Sequence, residues 1–186
     1  MKRGLNMIII VGSRHDGNSL KLANIVKEAL DKERVHSEII IPGNQKIHIC
    51  TGCMDCDEDG KCDFTDDMEK NINKIKNDEI VMFITPTRWN LLSGDLKLFM
   101  DRLNPMYSRK ELKNKKMISV SIGCKDDSLY SVDASLTSLN SFAESAGMKV
   151  ILEEKFYNCL RDSDILEQEE KINKFINSVK EKVKSS

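Results

Sequence analysis

The chain has 186 residues, a single domain's length, and a domain of that size buries roughly 70% of its unfolded surface. Its 29 basic and 30 acidic residues leave a formal net charge of −1, which argues against a general nucleic-acid binder. Hydrophobic residues at 40%, charged residues at 32%, and only 9 Gly and 3 Pro exclude disordered, collagen-like and linker-like chains.

The chain starts with basic residues, and the apolar stretch 7–11 that follows is shorter than a signal-peptide core of about 7–15 residues. No run approaches the ~18 apolar residues needed to span a bilayer. These features predict a cytoplasmic protein without a membrane partner, in a compartment where thiols stay reduced. Residues 7–11, MIIIV, read as a strand covered on both faces. Residues 19–34 read as a helix with Leu22, Val26, Ala29 and Leu30 at helical spacing. A second strand over 37–41 ends at Pro42-Gly43. Residues 42–65 form a long connection, and loops of that length are usually functional.

A helix follows over 66–77, with Asp66 and Glu69 spaced as a capping box. Residues 79–85 are a third strand and 93–103 a helix with Leu96, Phe99 and Leu103 inward. Residues 116–122 are the fourth strand, 131–146 a helix stopped by Gly147, 149–156 the fifth strand and 162–184 the last helix. Five strands alternating with five helices predict an α/β domain with a parallel sheet and right-handed crossovers. No repeat, low-complexity tract or composition break marks a second domain, so 1–186 reads as one unit.

The first strand runs into GSRHDGNSL, residues 12–20. A glycine-bounded polar loop at a helix N-terminus is an anion site, because unpaired N–H groups and the positive dipole end meet there. Ser13, Asn18 and Ser19 add neutral donors and Arg14 a cation. Asn18 stands where a nucleotide P-loop needs Lys, so a single terminal phosphate fits better than a triphosphate. No Gly-x-Gly-x-x-Gly is present for a dinucleotide.

Residues 50–62 contain Cys50, Cys53, Cys56 and Cys62 in the pattern C-x2-C-x2-C-x5-C. Close two-residue gaps suit a [4Fe–4S] cluster, whose irons each take one thiolate. Zinc, a disulfide or empty loop, and thiols packed as small apolar groups are the competing readings. Cys124 and Cys159, in or beside strands, read as buried and inert, although Cys124 follows a strand end and could border a ligand.

Strand three runs into TPTRWNLLSG, which holds the only Trp, Trp89. For a strand order of 2-1-3-4-5 the switch point lies between strands one and three, so this loop and the phosphate loop share a crevice. A flat aromatic ligand fits along residues 86–89, the competing reading being a Trp that covers the core edge.

Together GSRHDGNSL, CTGCMDCDEDGKCDFTDDM and TPTRWNLLSGDLKLFMDR make the chain resemble the flavodoxin-like NADPH-dependent FMN reductase superfamily, and within it the iron–sulfur flavoproteins, over nearly its whole length. The resemblance implies a three-layer sandwich with a tightly bound FMN. It implies a phosphate held by Ser13, Arg14, Asn18, Ser19 and Leu20, and an isoalloxazine held by Pro86, Thr87, Arg88, Trp89 and Asn90. It implies a [4Fe–4S] cluster on Cys50, Cys53, Cys56 and Cys62 and a homodimer or homotetramer. The family loop more usually has Pro after its first Ser and Lys near His15, where this chain reads Ser13-Arg14-His15.

The expected function is electron transfer between FMN and a one-electron partner such as ferredoxin, with NAD(P)H as the possible two-electron partner. The acidic run Asp57-Glu58-Asp59 would lower the cluster's potential, its competing reading being a solvated turn. The alternatives are an NAD(P)H-dependent FMN or quinone reductase without a functional cluster, and a metal-binding or redox-sensing module without flavin. No residue stands out as a general acid or base, since His15, His36 and His48 are scattered.

Overall fold

A computed structural model describes residues 6–124 and 131–185. Strand β1 (Asn6–Val11) is buried along almost its whole length, as its unbroken apolar sequence requires. It pairs in parallel with β2 (His36–Ile40) on one side and β3 (Ile80–Pro86) on the other. Strands β4 (Lys116–Ile122) and β5 (Lys149–Phe156) extend the sheet to the order β2-β1-β3-β4-β5, parallel throughout. The helices are α1 (Asn18–Lys32), α2 (Cys56–Asp59), α3 (Asp67–Asn77), α4 (Gly94–Asp101), α5 (Asn104–Ser108), α6 (Ser131–Ala146) and α7 (Glu169–Lys184).

Alternation along the strands builds two cores, one on each face of the sheet. Met7, Ile9 and Val11 join Met82 and Ile84 against Leu22 and Val26 of α1 and Phe175 and Val179 of α7. Ile8, Ile10, Val81 and Phe83 point the other way, against Met68 of α3, Leu96 and Phe99 of α4, and Leu139 of α6. The result is the expected three-layer, flavodoxin-like sandwich. On β4 the second face turns from apolar Met117 to polar Ser119 and Ser121, and Ser121 Oγ shares a 2.5 Å hydrogen bond with Ser135 Oγ of α6.

Element ends differ from the sequence reading where side chains intervene. The helix expected over 93–103 stops at Asp101, and a separate helix α5 follows. Pro105 lacks an N–H and its ring would strike the carbonyl of Asp101, so it opens a new helix instead of extending the old one. The helix expected from 162 begins at Glu169, after a 3-10 turn over Asp164–Gln168. There the backbone is held by side chains: Asp164 accepts from the N–H groups of Leu160 (2.9 Å) and Arg161 (2.7 Å). Asp66 caps α3 as expected, accepting from Met68 N–H at 3.0 Å. Gly147 ends α6 at φ +70°, a left-handed position that suits glycine.

Candidate functional site

In a parallel sheet of this order the connections from β1 and β3 leave in opposite directions, which opens a crevice at their carboxyl ends. A cleft of about 230 Å³ lies there. Its walls are Ser13, Asn18 and Ser19 after β1, and Pro86, Thr87 and Arg88 after β3. Gly123 and Cys124 after β4, and Cys159 to Asp162 after β5, complete it, with Leu160 and Asp162 on the lining. Gly12 lets the end of β1 lie against α4: a Cβ there would strike Ser93 Oγ and approach Leu96 Cβ to 3.0 Å. No side chain caps α1, and its first turn carries no acidic residue. Its leading N–H groups therefore present a positive end to the cleft.

The structure divides the expected cleft residues into two groups. Ser13, Asn18, Ser19, Pro86, Thr87 and Arg88 line the cleft, whereas Arg14, Leu20, Trp89 and Asn90 are not on its lining. The Arg14 guanidinium is engaged in a fork on Asp95 at the start of α4, with Nε to Oδ2 at 2.9 Å and Nη2 to Oδ1 at 2.7 Å. Arg14 holds the Asp95 carboxyl below its ordinary range. Gly43 packs on the same pair, where a Cβ would meet both Arg14 and Asp95. The pair thus joins the loop after β1 to the start of the cysteine connection. Asn18 ties the cleft floor together: Nδ2 donates to the Arg161 carbonyl at 2.7 Å, and Oδ1 accepts from Ile165 N–H at 3.0 Å.

The loop after β3 is anchored at its base and protruding at its tip. Thr85 Oγ1 accepts from Ser93 N–H at 3.0 Å, which closes the base. Arg88 and Leu91 exchange backbone hydrogen bonds of 2.8 and 3.0 Å around Trp89 and Asn90, both at positive φ. Trp89 is 98% exposed. A left-handed aromatic residue is strained, and strain of this kind concentrates at functional loops. The reading of Trp89 as a cover for the core edge does not hold.

The four cysteines expected to act together do line a single cavity. Cys50, Cys53, Cys56 and Cys62 surround a space of about 50 Å³, with Phe64, Arg102 and Asn104 beside them. Cys56 is buried, Cys62 half-buried, Cys50 and Cys53 exposed, and all four are free thiols. Gly52 and Gly60 adopt positive φ, as does Met54, so the loop curls tightly. Asn104 Nδ2 lies 3.1 Å from Cys56 Sγ, and Ser108 Oγ donates to the Cys56 carbonyl at 2.9 Å. Burial pushes the Cys56 thiol up, and the Asn104 hydrogen bond opposes this. Cys53, Asp55 and Asp63 also bring ligand atoms within 4.8 Å of one another, all on exposed residues.

A buried strut pins this loop to the sandwich. Asp66 and Arg102 have side chains only 1% and 2% exposed, and Arg102 Nη1 donates to Asp66 Oδ2 at 2.6 Å. Asp66 Oδ2 also accepts from His48 N–H at 2.9 Å, and Arg102 Nη1 donates to the His48 carbonyl at 2.8 Å. Phe64 stacks on His48 at 4.8 Å and lies 5.2 Å from the Arg102 guanidinium. Burial alone would raise the Asp66 carboxyl. Arg102 and the N–H groups of His48 and Met68 outweigh it and hold Asp66 far below the ordinary carboxylate range. Arg102 Nε is buried with no partner among the described residues, and Arg102 lines the cysteine cavity. An unpaired guanidinium N–H among four thiols fits an anionic, thiolate-ligated group.

Arg102, Asn104, Asp162 and Leu160 escaped the sequence reading because nothing local to them signals a site. Only the position of residues 159–162 directly after the fifth strand, at the carboxyl edge of the sheet, offered a hint. Cys124 is exposed and borders the cleft, contrary to the expectation of a buried thiol. Cys159 is buried as expected, its thiol pushed up to about 11 chiefly by burial. Gly60→Ala is expected to destabilise the fold by about 1–2 kcal/mol, the cost of a left-handed position. A Cβ at Gly60 would also overlap the Arg109 side chain. Urea unfolding of the variant measures the loss, and an unchanged midpoint would contradict it.

Residues 5–161 match the NADPH-dependent FMN reductase family. An iron–sulfur flavoprotein of Methanocaldococcus jannaschii is 31% identical over 64% of this chain and 62% of its own length. An iron–sulfur flavoprotein of Archaeoglobus fulgidus is 30% identical over 57% of this chain and 49% of its own. The matches therefore span about half to three fifths of those relatives. A flavone reductase structure superposes with a TM-score of 0.72 at 18% identity, covering 94% of this chain and 60% of that one. An azoreductase from Bacillus anthracis str. Sterne does so at 0.70 and 11% identity, covering 98% and 100%. These likenesses show the fold.

Proposed function

Because the chain belongs to the NADPH-dependent FMN reductase family, we propose that it is an FMN-dependent electron-transfer oxidoreductase with a second redox centre, a [4Fe–4S] cluster on Cys50, Cys53, Cys56 and Cys62. The observation that carries this reading is the convergence of four thiols, spread over residues 50–62, on one cavity beside a buried guanidinium. When bound, FMN supplies one- and two-electron chemistry and the cluster one-electron chemistry, so a two-electron donor such as NAD(P)H can exchange with a one-electron carrier such as ferredoxin.

The chain's own residues bind and orient. The first-turn N–H groups of α1, with Ser13 and Ser19, hold a phosphate by neutral donors and the helix dipole. Arg14 acts on this site through its fork on Asp95, which fixes the loop against α4. Asn18 and Leu20 shape the start of α1, and Pro86, Thr87 and Arg88 present the flat wall for the isoalloxazine. Trp89 and Asn90 sit at the protruding tip, from which they close over the ring or meet a second copy. Exposed Ile49, Met54, Trp89 and Leu160 favour a homodimer or homotetramer. Asn104 and Arg102 direct N–H groups and positive charge toward the thiols, which raises a cluster's potential, while the acidic run 57–59 opposes them.

The exposure of Cys50 and Cys53 favours one second reading, a flavin reductase whose cysteine loop carries no cluster. Anaerobic purification separates the two. The expected product is a coloured protein with the two-band flavin spectrum, plus iron and acid-labile sulfide in equal amounts. Flavin without stoichiometric iron would overturn the cluster, and a colourless protein would overturn both readings.

A further inference from the structure

A second cavity, of about 350 Å³, shares Cys62, Phe64, Arg102 and Pro105 with the lining of the space between the thiols. Its lining includes the apolar side chains Phe64, Ile72 and Pro105. It also carries four cations, Lys61, Lys76, Arg102 and Arg109, against one carboxylate, Glu69. Two of these cations are already balanced: Arg102 pairs with Asp66, and Lys76 lies 3.1 Å from Glu111.

The other two are not. Arg109 donates only to the Asp59 carbonyl, which leaves its charge without a carboxylate among the described residues. Lys61 is exposed and makes no side-chain hydrogen bond or ion pair there. Arg102, buried in the wall shared with the cysteine cavity, is committed to Asp66 and to the thiol side. A concave site with apolar side chains and two uncommitted cations on its lining has the makings of an anion-binding pocket.

We propose that this cavity binds a small polyanion bearing carboxylates or phosphates, seated against Cys62. The site shares Cys62 and Arg102 with the cysteine cavity, but it rests on the uncommitted cations Lys61 and Arg109 and not on the flavin or cluster assignment. Its lining combines apolar side chains with uncommitted cations, so it favours a compact organic or inorganic polyanion over a neutral molecule of the same size. Planar carboxylate or phosphate edges match the forked donors of Arg109, and Lys61 supplies a mobile point charge.

The protein as purified, saturated with FMN so that the phosphate loop is filled, is titrated calorimetrically with pyrophosphate and separately with citrate. Sodium chloride holds the ionic strength constant. Saturable binding of either probe is the expected result, and the tighter probe tells whether phosphates or carboxylates are the natural chemistry. Lys61→Gln combined with Arg109→Gln should raise Kd by about tenfold or more, since both lost contacts are charge-assisted. Lys61→Glu alone alters a solvent-exposed side chain and should weaken binding by a similar factor, with flavin content and melting temperature unchanged. Binding of neither probe, or binding that Lys61→Glu leaves intact, overturns the proposal. Chelation of any iron by either probe would be insensitive to Lys61→Glu, so that comparison keeps the result independent of whether the thiols hold iron.

Discussion

Asp66→Asn is expected to lower the unfolding free energy by about 3–5 kcal/mol, the usual cost of breaking a buried ion pair from one side. Both side chains are almost fully enclosed, so the substitution strands the Arg102 charge away from water. For a domain whose whole stability is about 5–15 kcal/mol, that is a large fraction. Urea unfolding monitored by circular dichroism measures it. Arg102→Met in the Asp66→Asn background should recover part of the loss, because the stranded charge is gone. A loss below about 1 kcal/mol, the scale of surface pairs, would contradict the burial argument.

The same pair gives the protein an acid-sensitive step. Asp66 has a folded-state pKa far below its ordinary value of 3.8. The unfolded chain therefore binds the proton more readily than the folded one below that value. The stabilisation from Asp66 is fully present above about pH 5 and is lost progressively as pH falls through and below the unfolded pKa. Wild-type stability should drop steeply there, and the Asp66→Asn profile should be flatter over the same range. Parallel profiles would contradict the assignment.

Cys56→Ser is expected to abolish iron and sulfide while leaving FMN bound at wild-type content. Cys56 is the most enclosed of the four thiols and is held from both sides by Asn104 and Ser108. A hydroxyl there is a poor iron ligand, and no neighbouring thiol can take its place without unwinding α2, which Cys56 begins. The cleft proposed for the flavin is built from other elements, the loops after β1, β3, β4 and β5, so its occupancy should be unchanged. Cys124→Ser is the control, since that thiol borders the cleft and not the cysteine cavity. Iron retained in Cys56→Ser would refute the ligand set. Joint loss of flavin and iron would show that the two sites are not separate.

Much of the architecture was legible in the sequence because it depends on periodicity. The short, β-branched apolar run MIIIV reads as a strand buried on both faces, and helices at 3.6-residue spacing must then cover both sides. That logic, with the alternation of elements, gave the parallel sheet and the loops at its carboxyl edge. The close spacing of Cys50, Cys53, Cys56 and Cys62 likewise survives folding, because short loops bring near neighbours together. Local chemistry also set the break at Pro105, although the helical pattern on either side masked it.

The contacts that tune the sites were not legible, because their partners are distant in the chain. Arg14 reads in sequence as a cation for a phosphate, yet its partner Asp95 lies 81 residues away. Asp66 reads as a helix cap, and only the folded chain brings it Arg102 from 36 residues on. Beyond their place after the fifth strand, nothing near Asp162 or Leu160 in sequence marks them as walls of a cleft. The sequence by itself determined the strands, the main helices, their faces and the close spacing of the four cysteines, because those follow from local periodicity and short spacing. Only the tertiary structure decided which charges neutralise one another and which stay uncommitted, because that depends on distances set by packing between remote segments.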